Sequence, residues 1–151
     1  MAHVAGAVHV VTTDGPAGRR GVTVSAACSV SDDPATILVC LQRHHEQNEM
    51  FVKNGVFALN TLAAEHEPLA DAFSGRRMLS QDDRFDMATW ETLQTGSPVL
   101  TDALDVFDCR IIGSQDIATH RVLFGRVASL RTGTNKSALI YLNRAYHHLE
   151  M

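Results

Sequence analysis

The sequence predicts a mainly β domain of α+β type: an antiparallel sheet or barrel with a few short helices. Three observations predict it. Period-two alternation of apolar and polar residues recurs along the chain. Strand-like runs outnumber helical ones, and several are joined by short turn signals rather than by crossover helices. At 151 residues, 45% of them hydrophobic and 20% charged, the chain suits one globular domain, 1–151, with room for a sizeable core.

Residues 7–13 read as the first strand and end at Asp14-Gly15-Pro16-Ala17-Gly18, a turn that feeds a second strand, so the two form a hairpin. That second strand begins the stretch GVTVSAACSVSDDP, residues 21–34. Its one parity reads Val22, Val24, Ala26, Cys28, Val30, and the other Thr23, Ser25, Ala27, Ser29, Ser31. The first faces a core. Further strands are expected over 36–41, 56–61, 106–113, 122–131 and 138–142. Two helices fit between them. One spans 45–54 and stops at Gly55, a left-handed cap. The other spans 68–73 and opens on Pro68, a favoured first-turn residue.

The second parity of 21–31 carries nothing larger than threonine and no charge. A solvated strand face explains it, and so does a floor on which a flat ligand lies close to the backbone while hydroxyls reach its polar rim. The stretch LQRHHEQNEMF, residues 41–51, passes from strand into helix with Arg43, His44 and His45 at the junction. It reads as a solvated polar turn or as a place for an anion. His120, in IATHRVLFGRV, opens a long strand after a turn.

Net charge of −4 without a basic stripe argues against a nucleic-acid partner. No run approaches the ~20 apolar residues of a membrane span, and a signal-peptide pattern is missing. Cys28, Cys40 and Cys109 are odd in number and sit in apolar runs, so they read as buried free thiols of a cytoplasmic protein. The eight histidines form neither H-x-x-x-H nor H-E-x-x-H, and no metal site is expected. No G-x-G-x-x-G follows a strand, and neither G-x-S-x-G nor a thiolate beside a base is present.

The segment VHVVTTDGPAGRRGVTVSAACSVSDDPATILVCL resembles the opening of the short-chain flavin reductases, the reductase components of two-component flavin monooxygenases. It is most similar to those serving pyrimidine-ring and 4-hydroxyphenylacetate oxygenation. The likeness continues through FALNTL, DDRF, FDCRI, THRVLFGRV and ALIYLNRAYHHL, nearly the whole chain. It implies an FMN-binding split β-barrel with Greek-key-like antiparallel strands that dimerises and binds flavin at the subunit interface. It implies reduction of flavin (FMN, with FAD possible) by NADH or NADPH, and release of the product to a partner monooxygenase. By the same resemblance, Thr23, Val24, Ser25, Ala26, Ser29, Val30 and Ser31 line the isoalloxazine ring. His44, His45, Glu46 and Gln47 hold the ribityl phosphate, aided by Arg84. His120 contacts the nicotinamide, with Phe85 and Tyr146 bordering the dinucleotide groove. Thr119 stands where the family has an acidic neighbour of that histidine, and the chain opens at its first strand, ahead of which the family carries a short helix. Hydride passes between the two cofactors without a protein acid or base, so no catalytic dyad is expected. Two other readings stay open: a flavin-binding split barrel without turnover, and a corrinoid-cobalt reductase that uses reduced flavin.

Overall fold

The computed structural model describes residues 1–151. In chain order the elements are β1 (Gly6–Ala7), β2 (His9–Thr13), β3 (Arg20–Val24), β4 (Ala27–Asp32), β5 (Ala35–Gln42), α1 (Glu49–Asn54) and β6 (Val56–Thr61). There follow α2 (Glu67–Phe73), α3 (Gln81–Phe85), β7 (Trp90–Glu91), β8 (Val99–Leu100), β9 (Asp105–Ile117), β10 (His120–Thr132), β11 (Ser137–Leu142) and β12 (Ala145–Glu150). Short 3-10 turns at Glu46–Asn48 and Ala64–His66 lead into α1 and α2. No helix is long and apolar enough to cross a membrane.

Seven strands form one antiparallel sheet in the order β3-β2-β6-β9-β10-β5-β4. The expected hairpin is there, with Thr13 opposite Arg20 and His9 opposite Val24. The two edge strands, β3 and β4, are consecutive in sequence and separated only by Ser25 and Ala26. Three Cα steps span about 11 Å at most, so the two edges must lie side by side and the sheet curls into a barrel. The closing seam is not a full ladder. Beyond it the Cys40 N–H donates to the Ala26 carbonyl at 2.9 Å, which stitches β5 to the crossing residues. The barrel is thereby split along one line.

β2 and β6 are buried on both faces, because each separates two apolar layers. Val11, Phe57 and Leu59 point into the barrel, where they meet Val39, Leu41, Phe51, Cys109 and Leu123. Val10 and Ala58 point outward to Leu69, Ala70, Phe73, Phe85, Val99 and Leu100 beneath α2, α3 and the small β7-β8 pair. Two buried polar groups organise this outer layer. The Asn60 amide donates to the Val10 carbonyl at 3.0 Å, and its Oδ1 accepts from the Leu100 N–H at 2.9 Å. The Asp108 carboxylate accepts from the Gln94 and Thr95 N–H groups at 2.8 and 2.9 Å, fixing the loop before β8.

The structure corrects four expectations. The single alternating strand is two strands, and Ala26, Cys28 and Val30 are exposed rather than core-facing, because β4 is the sheet's outer edge. For the same reason Cys28 is an exposed thiol, while Cys40, on β5 at the groove, is half-exposed; Cys109 is buried, and desolvation pushes its thiol up to about 12. The helix expected from His45 is a 3-10 turn to Asn48, and α-helix begins only at Glu49, although Gly55 does cap it at φ 73°. Finally, Phe85 is 2% exposed. It packs edge-on against Phe73 and Trp90 at 5.1 and 5.0 Å, with the Arg19 guanidinium over its outer face, and lines neither cavity of the seam described below.

Candidate active site

The seam holds the candidate site. A cavity of about 250 Å³ is lined by Val22 to Ala26 on one side and by Cys40, Leu41 and Gln42 on the other, with His45, Asn48, Ser74 and His120 at its rim. Its neighbour, of about 320 Å³, shares Thr23, Val24, Ser25, Gln42 and Ser74 and adds Val8, Arg76, Tyr141 and Tyr146. The two are one continuous groove along the line where the barrel fails to close.

Each wall residue is placed by the fold. Antiparallel register sets His120 opposite Gln42, so the histidine that opens β10 stands one strand from the seam. The turn before it is stapled down. The Arg43 N–H donates to the Thr119 carbonyl and its guanidinium to the Ala118 carbonyl, both at 2.9 Å. Arg121 spans the Asp116 and Glu49 carboxylates at 2.7 Å each, which ties the β9-β10 hairpin to α1. His120 Nδ1 shares a hydrogen bond of 2.8 Å with the Thr119 hydroxyl, which fixes the ring and leaves Nε2 to a ligand. Thr23 is committed differently: its hydroxyl donates to the Ala70 carbonyl at 2.6 Å, fastening α2 to β3, so it can offer a ligand only a lone pair. Ser25, exposed between the two strands, carries no such commitment.

Beneath one end of the groove lies an unbalanced positive charge. Arg20 is buried, and its Nε donates at 2.7 Å to the neutral Oδ1 of Asn48, whose amide donates in turn to the Gln42 carbonyl at 2.9 Å. Burial, then the nearby Arg84 guanidinium, lowers the Arg20 pKa to about 10. His45 is held below the ordinary histidine value by burial, then by His44, whose ring lies 4.2 Å from its own, and by Arg20. The Arg20 and Arg84 guanidiniums, crowded without a carboxylate partner, invite an anion from outside.

Of the residues proposed from sequence, Thr23 to Ala26, His45 and His120 come together in the first cavity, and Tyr146 joins them through the second. His44, Glu46 and Gln47 are exposed on the adjoining turn. Arg84 contributes charge from behind, its Nε donating to the Leu79 carbonyl at 2.9 Å. Ser29 and Ser31 line a separate cavity of about 190 Å³ with His9 and Cys28, and Val30 is 49% exposed on the sheet edge. Sequence reasoning missed Arg20, Gln42, Asn48, Ser74, Arg76 and Tyr141. They come from five separate segments, and only the folded seam brings them together.

One further cluster, Glu65, His66 and Asp102, brings three potential ligand atoms within 4.8 Å. His66 Nδ1 accepts the Ala63 N–H at 3.0 Å, so in neutral imidazole Nε2 carries the proton and faces Asp102 at 3.1 Å. It has no lone pair there for a metal.

A two-edged sheet folded onto its own seam leaves a hydroxyl-lined groove with buried positive charge at one end, an arrangement suited to a flat anionic ligand. The flavin reductase like domain matches residues 1–150, and the chain belongs to that family. Among curated relatives, "FMN reductase (NADH) RutF 2" of Methylorubrum extorquens is 48% identical over 99% of this chain and 86% of its own length. "FMN reductase (NADH) RutF" of Pantoea ananatis is 46% identical over 99% of this chain and 77% of its own. Among solved structures, BorF, the flavin reductase component of a bacterial two-component tryptophan halogenase, superimposes with a TM-score of 0.91 at 27% identity, over 99% of this chain and 94% of that one. Flavin reductase PheA2 in its native state superimposes with a TM-score of 0.88 at 26% identity, over 100% of this chain and 94% of that one.

Proposed function

We propose that the protein is an NADH-dependent flavin reductase that takes FMN as its flavin and hands the reduced product to a partner monooxygenase. The observation that carries the reading is the buried Arg20, neutralised by no carboxylate, beneath the end of a seam lined with small side chains.

The residues present fit such a substrate. Val24, Ser25 and Ala26 give a low floor on which a tricyclic ring lies flat, and the Ser25 hydroxyl meets its polar edge. Arg20 and Arg84 supply the positive field for a phosphate, and the His44 and His45 rings in front of them offer it N–H donors. The flavin, when bound, accepts hydride at its ring and a proton from water, while NADH leaves as NAD⁺. The chain's part is to align the donor ring over the acceptor ring within roughly 3–3.5 Å and to keep water from between them. His120 supports this by offering Nε2 to the carboxamide of the nicotinamide, its ring already fixed by Thr119.

A second copy of the chain closes the groove. Val30 on the edge strand and Ile112, Ile117 and Leu130 on the long hairpin are 49%, 54%, 54% and 60% exposed, more open apolar surface than a lone barrel needs.

Steady-state assay tests the function. The protein should oxidise NADH in proportion to added FMN, and more efficiently than with FAD. NADH consumption that ignores flavin, or none at all, overturns the reading.

A further inference from the structure

Two of the three thiols stand together at the edge of the sheet, and hydride transfer uses neither. β4 pairs with β5 so that Cys28 lies opposite Leu38, while the Cys40 N–H donates to the Ala26 carbonyl at 2.9 Å. Ile37, Val39 and Leu41 belong to the barrel interior, so the alternate residues Leu38 and Cys40 point outward. Cys28, opposite Leu38, shares that outward face. The two thiols are therefore diagonal neighbours across one ladder. Burial, and then the Cys28 thiol itself, raise the Cys40 pKa, so each sulfur lies within the other's field.

Their settings differ. Cys28 is exposed on the edge strand, where solvent and anything as small as water reach it. Cys40 is half-buried in the wall of the seam, beside Ala26. Cys109 is buried inside the barrel. Diagonal pairs sit roughly 7–8 Å apart at Cα and less at Cβ, whereas a disulfide asks for about 4.4–6.8 Å at Cα. A shift of about an ångström closes the difference. β4 can supply it, because it has a neighbour on one side only and its ladder with β5 already slips register between Ser29 and Ser31.

We propose that hydrogen peroxide joins Cys28 to Cys40 in a disulfide, and that this oxidation loosens the hold of the seam on flavin. The Cys28 thiolate attacks one peroxide oxygen and breaks the O–O bond; the hydroxide that leaves takes up the thiol's proton as water, and Cys28 becomes a sulfenic acid. The Cys40 sulfur then attacks the Cys28 sulfur, the S–S bond forms, and the sulfenic hydroxyl departs with the Cys40 proton as a second water. Two thiols are oxidised by two electrons, and one peroxide is reduced to two waters. Resting on the flavin reductase reading, the oxidant is a by-product of the protein's own reaction. Reduced flavin that meets dioxygen instead of a monooxygenase returns to oxidised flavin and yields hydrogen peroxide. The cross-link draws β4 over β5 where Cys40 is bonded to Ala26, a floor residue of the groove, and so disturbs the stitch that shapes the flavin floor. A reductase running without a consumer is thereby turned down.

The test uses the whole protein, first fully reduced, then treated with a modest excess of hydrogen peroxide and titrated with FMN. Peptide mapping by mass spectrometry should find a Cys28–Cys40 cross-link, with Cys109 still a free thiol. The FMN Kd should rise about 3- to 10-fold, as for one lost hydrogen bond, and return on reduction with dithiothreitol. C28S should bind FMN as the reduced wild type does, form no cross-link and keep its affinity in peroxide. Failure of the cross-link to form, whether the thiols stay free or Cys28 passes on to sulfinic acid, overturns the proposal and leaves the reductase reading standing. So does a cross-link that leaves the Kd unchanged, or a C28S protein that loses affinity in peroxide as the wild type does. Reduced wild type that binds no FMN and oxidises no NADH in the presence of flavin overturns that reading, and the proposed control of flavin binding with it.

Discussion

Two histidines show how differently one residue type is used here. His120 stands at the groove's rim with Nδ1 tied to Thr119. Removing one hydrogen bond to the nicotinamide costs ~0.5–1.5 kcal/mol, so His120→Ala should raise the NADH KM several-fold to about tenfold and leave flavin affinity alone. Kinetics that do not change in a well-folded variant would remove His120 from the site. His9 is buried, with Nδ1 3.0 Å from the Thr61 hydroxyl, and desolvation lowers its pKa to about 4. The folded state therefore resists a proton that the unfolded chain accepts near its ordinary value of 6.5. Stability is fully present above that value and is lost as pH falls toward 4. From pH 7 to pH 5 the loss attributable to His9 is about 2 kcal/mol. Urea unfolding at the two pH values should show His9→Gln losing less than the wild type; equal losses would show that His9 does not titrate on unfolding. Position in the sequence distinguished His120, because it opens a strand after a turn. Nothing local marked His9, whose environment is made by strands β3 and β6.

At the level of elements, what the sequence pattern revealed was the hairpin, most of the strands and the Gly55 and Pro68 helix signals, all consequences of local periodicity and backbone conformation. It could not show that the alternation of 21–31 belongs to two strands on opposite edges of one sheet. Ser25 and Ala26 are compatible with extended backbone, and only barrel closure forces the break there. The DDRF motif misled in a similar way: Phe85 belongs to an aromatic cluster under α3, a packing role that sequence alone does not distinguish from a groove wall. The polar joint of the seam was equally invisible. Asn48 links β3, through Arg20, to the end of β5 at Gln42. Asn48→Ala strips the buried guanidinium of its acceptor, so it should destabilise the protein by about 1–3 kcal/mol and weaken FMN binding as the seam loosens. Denaturant unfolding with FMN titration checks both; an unchanged midpoint and affinity would show the joint to be dispensable.

For the molecule as a whole, the proposal is that a second copy closes the open seam of the split barrel. Sedimentation should give twice the 16.5 kDa chain mass, and Val30→Asp, which puts charge on the exposed edge, should shift the population toward single chains. A wild-type protein that sediments as one chain would remove the second copy from the account. The central claim is hydride transfer within the seam, and it is tested most directly by one anaerobic mixing experiment. Protein is combined with one equivalent of FMN and then with NADH, and the flavin's visible absorbance is followed against FMN and NADH alone. The account predicts bleaching far faster than the uncatalysed reaction, with one flavin reduced per NADH consumed. Bound flavin that stays yellow, bleaching no faster than the protein-free control, would make this a flavin-holding barrel and contradict the claim.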